Sequence, residues 1–209
     1  KSEAALKRSI EYGVSCIVCE SLLELKKISS IARSLNRIVN VALRINPDFV
    51  AEKALLKMGG KASQFGMDLS EIFAHETLIF NTEHVQIVGI HIYNGTRILD
   101  AKTIADNTRS VLVLAEELMK RWHREFSFID IGGGIGIPYF ADETPCDMEL
   151  LASLMYPLIQ EFHHRHKAAR IILESGRFLV GPAGMLVSRV EVIKTSKGEH
   201  FLVTDGGTH

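Results

Sequence analysis

Apolar runs of strand length and apolar stripes of helical period alternate along most of this 209-residue chain, and that alternation limits the folds open to it. Ser2 to Tyr12 reads as a helix closed by Gly13, and Ser15 to Glu20 as a short strand. Ser21-x-x-Glu24 has capping-box spacing, and Leu22, Leu25, Ile28, Ala32 and Leu35 follow as one helical stripe. Val39 to Ile45 is a strand closed by Asn46-Pro47-Asp48, and Asp68 opens another short helix. Val85 to Tyr93 is a strand running into Asn94-Gly95, read as its turn. Ile104, Val111, Leu112, Ala115, Leu118 and Trp122 mark a long amphipathic helix. Phe126 to Ile131 is a strand, Leu151, Leu154, Leu158 and Phe162 lie on a helix, and Arg170 to Leu173 is the strand after it.

This cadence predicts a parallel α/β unit, either an open doubly wound sheet or a closed barrel. Arg44, His91, Tyr93, Asp130, Glu174 and Arg177 fall at or just beyond predicted strand C-termini, which favours a barrel. After Gly181-Pro182 the cadence changes to two β-rich runs joined at Ser196-Lys197-Gly198. The expected division is residues 1–183 as an incomplete barrel and 184–209 as the start of a β domain.

A net charge of −1 gives no reason to expect nucleic acid or an anionic membrane as partner. No apolar run approaches bilayer length, and the first residues carry no apolar signal region. Cys16 and Cys19, three apart in a strand, face opposite ways; with Cys146 they read as buried thiols in a reducing cytoplasm.

Three clusters carry candidate chemistry. Asp130-Ile131-Gly132-Gly133-Gly134-Ile135-Gly136 follows a strand directly, where missing Cβ atoms let backbone N–H groups approach a phosphate. A plain strand exit, a dinucleotide fingerprint and the first motif of adenosylmethionine-dependent methyltransferases compete for it. Ile137-Pro138 fits the second poorly, and three preceding strand–helix units fit the third poorly. In Glu174-Ser175-Gly176-Arg177 a surface ion pair competes with a shared pocket. In His91-Ile92-Tyr93-Asn94-Gly95-Thr96, a satisfied buried histidine competes with an aromatic face for a flat ring and a Thr96 donor to an anion. His163, His164 and His166 read as a solvated helix end rather than a metal site, and no metal-protease or Ser-His-Asp spacing is visible.

In order, Arg44-Ile45-Asn46-Pro47-Asp48, Gln64-Phe65-Gly66-Met67, Gly89 to Thr96, Asp130 to Gly134, Glu174 to Arg177 and Asp205-Gly206-Gly207 resemble the fold-type III pyridoxal-phosphate decarboxylases. Diaminopimelate and ornithine decarboxylases are members. The resemblance implies an alanine-racemase-like (β/α)8 TIM barrel followed by a β domain, pyridoxal 5'-phosphate as cofactor, and a homodimer. It implies that Gly132, Gly133, Gly134, Ser175, Gly176, Arg177 and Thr96 hold the phosphate. It gives Glu174 the ring nitrogen and Tyr93 the ring face, both as catalytic residues. Tyr93 stands where those members carry a stacking histidine, and Ser175 where many carry proline. The substrate implied is an amino acid or an amino-acid-derived group, including one linked to a carrier. The family's cofactor-anchoring lysine is expected upstream of Lys1 and its catalytic cysteine downstream of residue 209, with Cys146 no match for it. A methyltransferase, an alanine-racemase-like enzyme and a non-catalytic decarboxylase-like binding protein remain as alternatives.

Overall fold

A computed structural model describes residues 1–47, 56–57 and 64–207. Asp48, expected to close a strand, lies outside the described residues. In chain order the elements are α1 (Glu3–Tyr12), β1 (Ile17–Cys19), α2 (Leu22–Ser34), β2 (Val39–Asn46), β3 (Leu56–Lys57) and β4 (Met67–Asp68). There follow α3 (Leu69–Ala74), α4 (Glu76–Phe80), β5 (Val85–His91), β6 (Gly95–Thr96), α5 (Ala101–Trp122) and β7 (Phe128–Gly133). Next come α6 (Met148–Arg165), β8 (Arg170–Glu174), α7 (Gly176–Val180), a 3-10 turn (Gly181–Ala183), β9 (Val190–Ser196) and β10 (Glu199–Thr204).

The helix boundaries follow from side-chain caps. Ser2 Oγ accepts from the Ala5 amide, Asp100 Oδ1 from Thr103 and Asp147 Oδ1 from Leu150, each satisfying an amide that the first turn leaves orphaned. At α2, Ser21 Oγ accepts from the Glu24 amide as the capping-box spacing predicts. The return bond is displaced by one residue: Glu24 Oε2 accepts from the Glu20 amide, not from that of Ser21. Glu24 is buried and also takes the Lys1 Nζ, which donates to the Val18 carbonyl at 2.6 Å.

Strands β1, β2, β5, β7 and β8 lie side by side in chain order, all parallel, with β4 continuing beside the end of β2. A doubly wound sheet reverses its order at a switch point. Among the described residues no reversal occurs, and winding one way in sequence is how a (β/α)8 barrel is built. The described chain is therefore an arc of such a barrel. Its core is apolar from both layers: Leu25 and Ile28 of α2, Val41 and Leu43 of β2, Ile90 of β5, Val111 and Leu118 of α5, Ile129 of β7 and Phe162 of α6. Burying one such side chain contributes about 1.5–3 kcal/mol. All three cysteines are unpaired, and burial pushes the Cys16 thiol up to about 11 and that of Cys19 to about 12. Cys19 and Cys146 are buried, as expected of packing residues, whereas Cys16 is only partly so.

Beyond the barrel, β9 and β10 form an antiparallel hairpin with Ser196 opposite Glu199, and both Lys197 and Gly198 take positive φ. That is the backbone a two-residue hairpin loop demands. Among the described residues these strands pair only with each other, and Met185, Leu186 and Val187 before them are exposed. No described helix is long and apolar enough to cross a membrane.

Candidate active site

Parallel pairing brings three titratable groups together at the rim. His91 ends β5 and is the cross-strand partner of Asp130 on β7. Asp130 pairs with Ile172 of β8, and Glu174, two residues on, returns to the same face. His91 Nε2 lies 3.4 Å from Glu174 Oε2, and all three side chains bring a polar atom within 4.8 Å of one another. Asp130 Oδ1 accepts from the Gly132 amide at 2.9 Å.

The two carboxyls are pushed apart. The hydrogen bond from His91 holds Glu174 below the usual carboxylate range, against the opposing effect of burial, with His91 and Arg44 adding electrostatic support. Burial pushes Asp130 up, reinforced by Glu174 and opposed by the Gly132 amide and His91. Exposure explains the division: Asp130 is 4% exposed, whereas the Glu174 side chain is 46% exposed.

Two adjoining hollows open at this rim. One, of about 310 Å³, is lined by Lys1, Val18, Glu20, Arg44, His91, Tyr93 and Glu174. The other, of about 230 Å³, is lined by Tyr93, Thr96, Gly134, Ile135, Glu174, Gly176 and Arg177. Tyr93 and Glu174 belong to both and form the partition. In the first hollow Arg44 pairs with Glu20 at 3.2 Å and lies over the Phe65 ring. Glu20 also accepts from the Gly66 amide, which ties the Gln64-Phe65-Gly66-Met67 motif to this wall.

Of the residues singled out from sequence, Tyr93, Thr96, Gly134, Glu174, Gly176 and Arg177 line the second hollow, and Gly132 and Gly133 do not. These two glycines are required by strand packing. A Cβ at Gly132 would lie 2.4 Å from the Ile92 carbonyl oxygen, and one at Gly133 2.0 Å from that of Glu174. The Gly132 amide, expected to face a phosphate, is committed to Asp130. Glu174 and Arg177 are not an ion pair; among the described residues Arg177 has no carboxylate within ion-pair distance, and its guanidinium lies 5.6 Å above the Tyr139 ring. His91 is not fully satisfied, because its Nδ1 is buried without a partner.

Asn94-Gly95 is not a turn. Asn94 is buried and donates to Asn107 Oδ1 on α5, Gly95 begins β6, and the positive φ falls on Arg97. Arg97 was not anticipated from sequence. It pairs with Glu143 and stacks on Tyr139 at 4.2 Å, while Glu143 accepts from the Tyr139 amide at 2.6 Å. That clamp fixes the chain after the glycine run over the rim.

The second hollow suits an anion. Arg177, in its lining, has no counter-ion among the described residues, and a Cβ at Gly176 would meet nothing within 4 Å; Ser175 Oγ, between the lining residues Glu174 and Gly176 in sequence, is buried with no hydrogen-bond partner among the described residues. The partition between the hollows offers an aromatic ring and an ionised carboxylate, the complement of a protonated heteroaromatic ring. These features fit a phosphorylated pyridine.

The fold and rim therefore define an α/β-barrel protein whose polar groups gather at the strand C-termini. Residues 1–181 match the family described as pyridoxal-dependent decarboxylase, pyridoxal binding domain. The chain belongs to that family, whose cofactor is pyridoxal phosphate; the adenosylmethionine alternative is thereby set aside. It is 34% identical over 210 residues to L-glutamyl-[BtrI acyl-carrier protein] decarboxylase of Niallia circulans, covering 100% of this chain and 49% of that protein. It is 31% identical over 208 residues to diaminopimelate decarboxylase of Aquifex aeolicus, covering 99% of this chain and 48% of that one. Among solved structures, diaminopimelate decarboxylase from M. jannaschii in complex with L-lysine superposes with a TM-score of 0.80 at 28% identity, over 99% of this chain and 48% of that one. The chain thus spans about half the length of the relatives it matches.

Proposed function

We propose that this chain supplies the cofactor site of a pyridoxal-phosphate-dependent decarboxylase acting on an amino acid or an amino-acid-derived group. In this reading Arg177, Thr96 and the amides of Gly134 and Gly176, which line the second hollow, hold the phosphate, with Gly132, Gly133 and Ser175 shaping the loops behind it. Tyr93 lies against the ring and Glu174 faces its nitrogen. Pyridoxal phosphate supplies the electron sink for the pair left by a departing carboxylate. The protein's part is to anchor the phosphate through charge-assisted hydrogen bonds, orient the ring, and keep an anion beside its nitrogen. The observation that carries the reading is a hollow lined by Arg177, which has no carboxylate partner among the described residues, and bordered by a glutamate held ionised.

Supporting a carrier-linked substrate is the 34% identity to a decarboxylase whose name specifies an L-glutamyl carrier protein. The test is carbon dioxide release by the full-length protein with pyridoxal phosphate. Free diaminopimelate, ornithine, lysine and glutamate are compared with glutamate thioesterified to an acyl-carrier protein. Release only from the thioester identifies the carrier-linked class, and release only from a free amino acid excludes it. Cofactor binding with no release from any of them favours the non-catalytic relative instead. We further propose that residues 184–209 begin a second, β domain, since their hairpin pairs with no barrel strand among the described residues. A homodimer follows from the family resemblance, and three unpaired thiols support a reducing compartment, the cytoplasm.

A further inference from the structure

With Glu174 assigned to the ring nitrogen, two buried neighbours, His91 and Asp130, have no task. We propose that His91 is a positioning residue for Glu174: its imidazole holds the carboxylate aimed at the ring nitrogen and ionised, while the deeper Asp130 carries the cluster's proton. This inference rests on the reading that Glu174 faces the ring.

Geometry carries the argument. The three groups stand on adjacent strands β5, β7 and β8, on one face, with polar atoms within 4.8 Å of one another. Two carboxyls this close, one of them buried, do not both stay ionised without cost, and their surroundings decide which keeps the charge. Glu174 is half exposed, accepts from His91 Nε2 and feels Arg44. Asp130 is buried, and among the described residues its one hydrogen-bond donor is the Gly132 amide. His91 Nδ1 is buried with no partner among the described residues, so a proton there would be desolvated and unpaired. The tautomer that donates from Nε2, toward Glu174, leaves no such orphaned donor.

The other charged groups facing the cluster do not reverse this order. Arg44 on β2 reinforces the anion while paired to Glu20. Lys1 lies across the first hollow with its Nζ on the Val18 carbonyl and Glu24, and Arg177 stands across the second hollow.

The test begins on cofactor-free, full-length protein labelled with carbon-13 at Asp and Glu carboxyls, with signals assigned through Glu174→Gln and Asp130→Asn. The expected result is that Asp130 titrates at higher pH than Glu174. In His91→Leu the Glu174 midpoint rises, and in His91→Gln, which keeps an N–H donor of similar reach, most of that rise is reversed. A Glu174 midpoint unmoved in His91→Leu overturns the proposal, as does Glu174 titrating above Asp130. Should His91→Leu not fold, His91→Phe, closer in shape and without a ring nitrogen, takes its place: the Glu174 midpoint is again expected to rise, and an unmoved midpoint overturns the proposal.

A second arm compares affinity for pyridoxal phosphate with affinity for its analogue carrying CH in place of the ring nitrogen. Removing the His91 hold should lower that preference by roughly tenfold, the order of one hydrogen bond to a charged group. A packing defect lowers both affinities alike and leaves the ratio intact, which overturns the positioning role. If Glu174→Gln itself leaves the ratio intact, it is the placement of Glu174 at the ring that fails, and the carboxyl titration still decides its hold by His91.

Discussion

Asp130 sits in a place hostile to charge, and its stability contribution follows from that. Its folded-state carboxyl is raised by burial, so the folded protein binds its proton more tightly than the unfolded chain does. Stability from this group is fully present below the unfolded carboxylate value and is lost as pH rises through the folded value. Asp130→Asn has no such loss, because an amide titrates in neither state. The melting temperature of that variant should match the parent in acid and exceed it increasingly across that window, with a constant difference above it. Thermal unfolding at a series of pH values checks this; a difference that shrinks as pH rises refutes it. Arg177→Ala should weaken pyridoxal phosphate binding by about 1.5–3 kcal/mol, the range for a hydrogen bond to a charged group, read by cofactor titration. An unchanged affinity removes Arg177 from the phosphate site. Gly133→Val should fail at the level of folding, since even a Cβ there meets the Glu174 carbonyl at 2.0 Å. Circular dichroism distinguishes that failure from a folded protein that merely does not bind.

At the level of elements, what sequence made legible was whatever short-range patterning decides. The stripe from Leu22 to Leu35 and the long helix ending at Trp122 lie where their apolar spacing puts them, because each packs one face on the sheet. What misled was local chemistry overruled by tertiary partners. Asn94-Gly95 has hairpin-turn composition, yet Asn94 is bonded to α5 and its neighbour enters β6. Glu24 has capping-box spacing but bonds one residue upstream. The glycine run suggested room for a ligand, whereas Gly132 and Gly133 make room for neighbouring backbone. The pairing of β3 with β6 was not visible at all, since two-residue strands are too short to show a period. The caps are testable directly. Asp147→Ala should lose the bond to the Leu150 amide and destabilise the fold by about 1 kcal/mol, measured as a lower denaturant midpoint at unchanged slope.

At the scale of the molecule, the order of strands was legible as cadence but not as closure. Only the pairing of β1, β2, β5, β7 and β8 without reversal separates a barrel arc from a doubly wound sheet. The candidate site was legible as a set of residues at strand ends and not as two compartments, because Lys1 and Glu20 reach it through tertiary packing alone. Glu174 stands in the wall that both hollows share, and this makes the wall a conductor of charge rather than a barrier. Whatever neutralises the carboxylate from one compartment changes the field felt in the other. Two guests, one on each side, must then alter each other's affinity by the same factor in both directions.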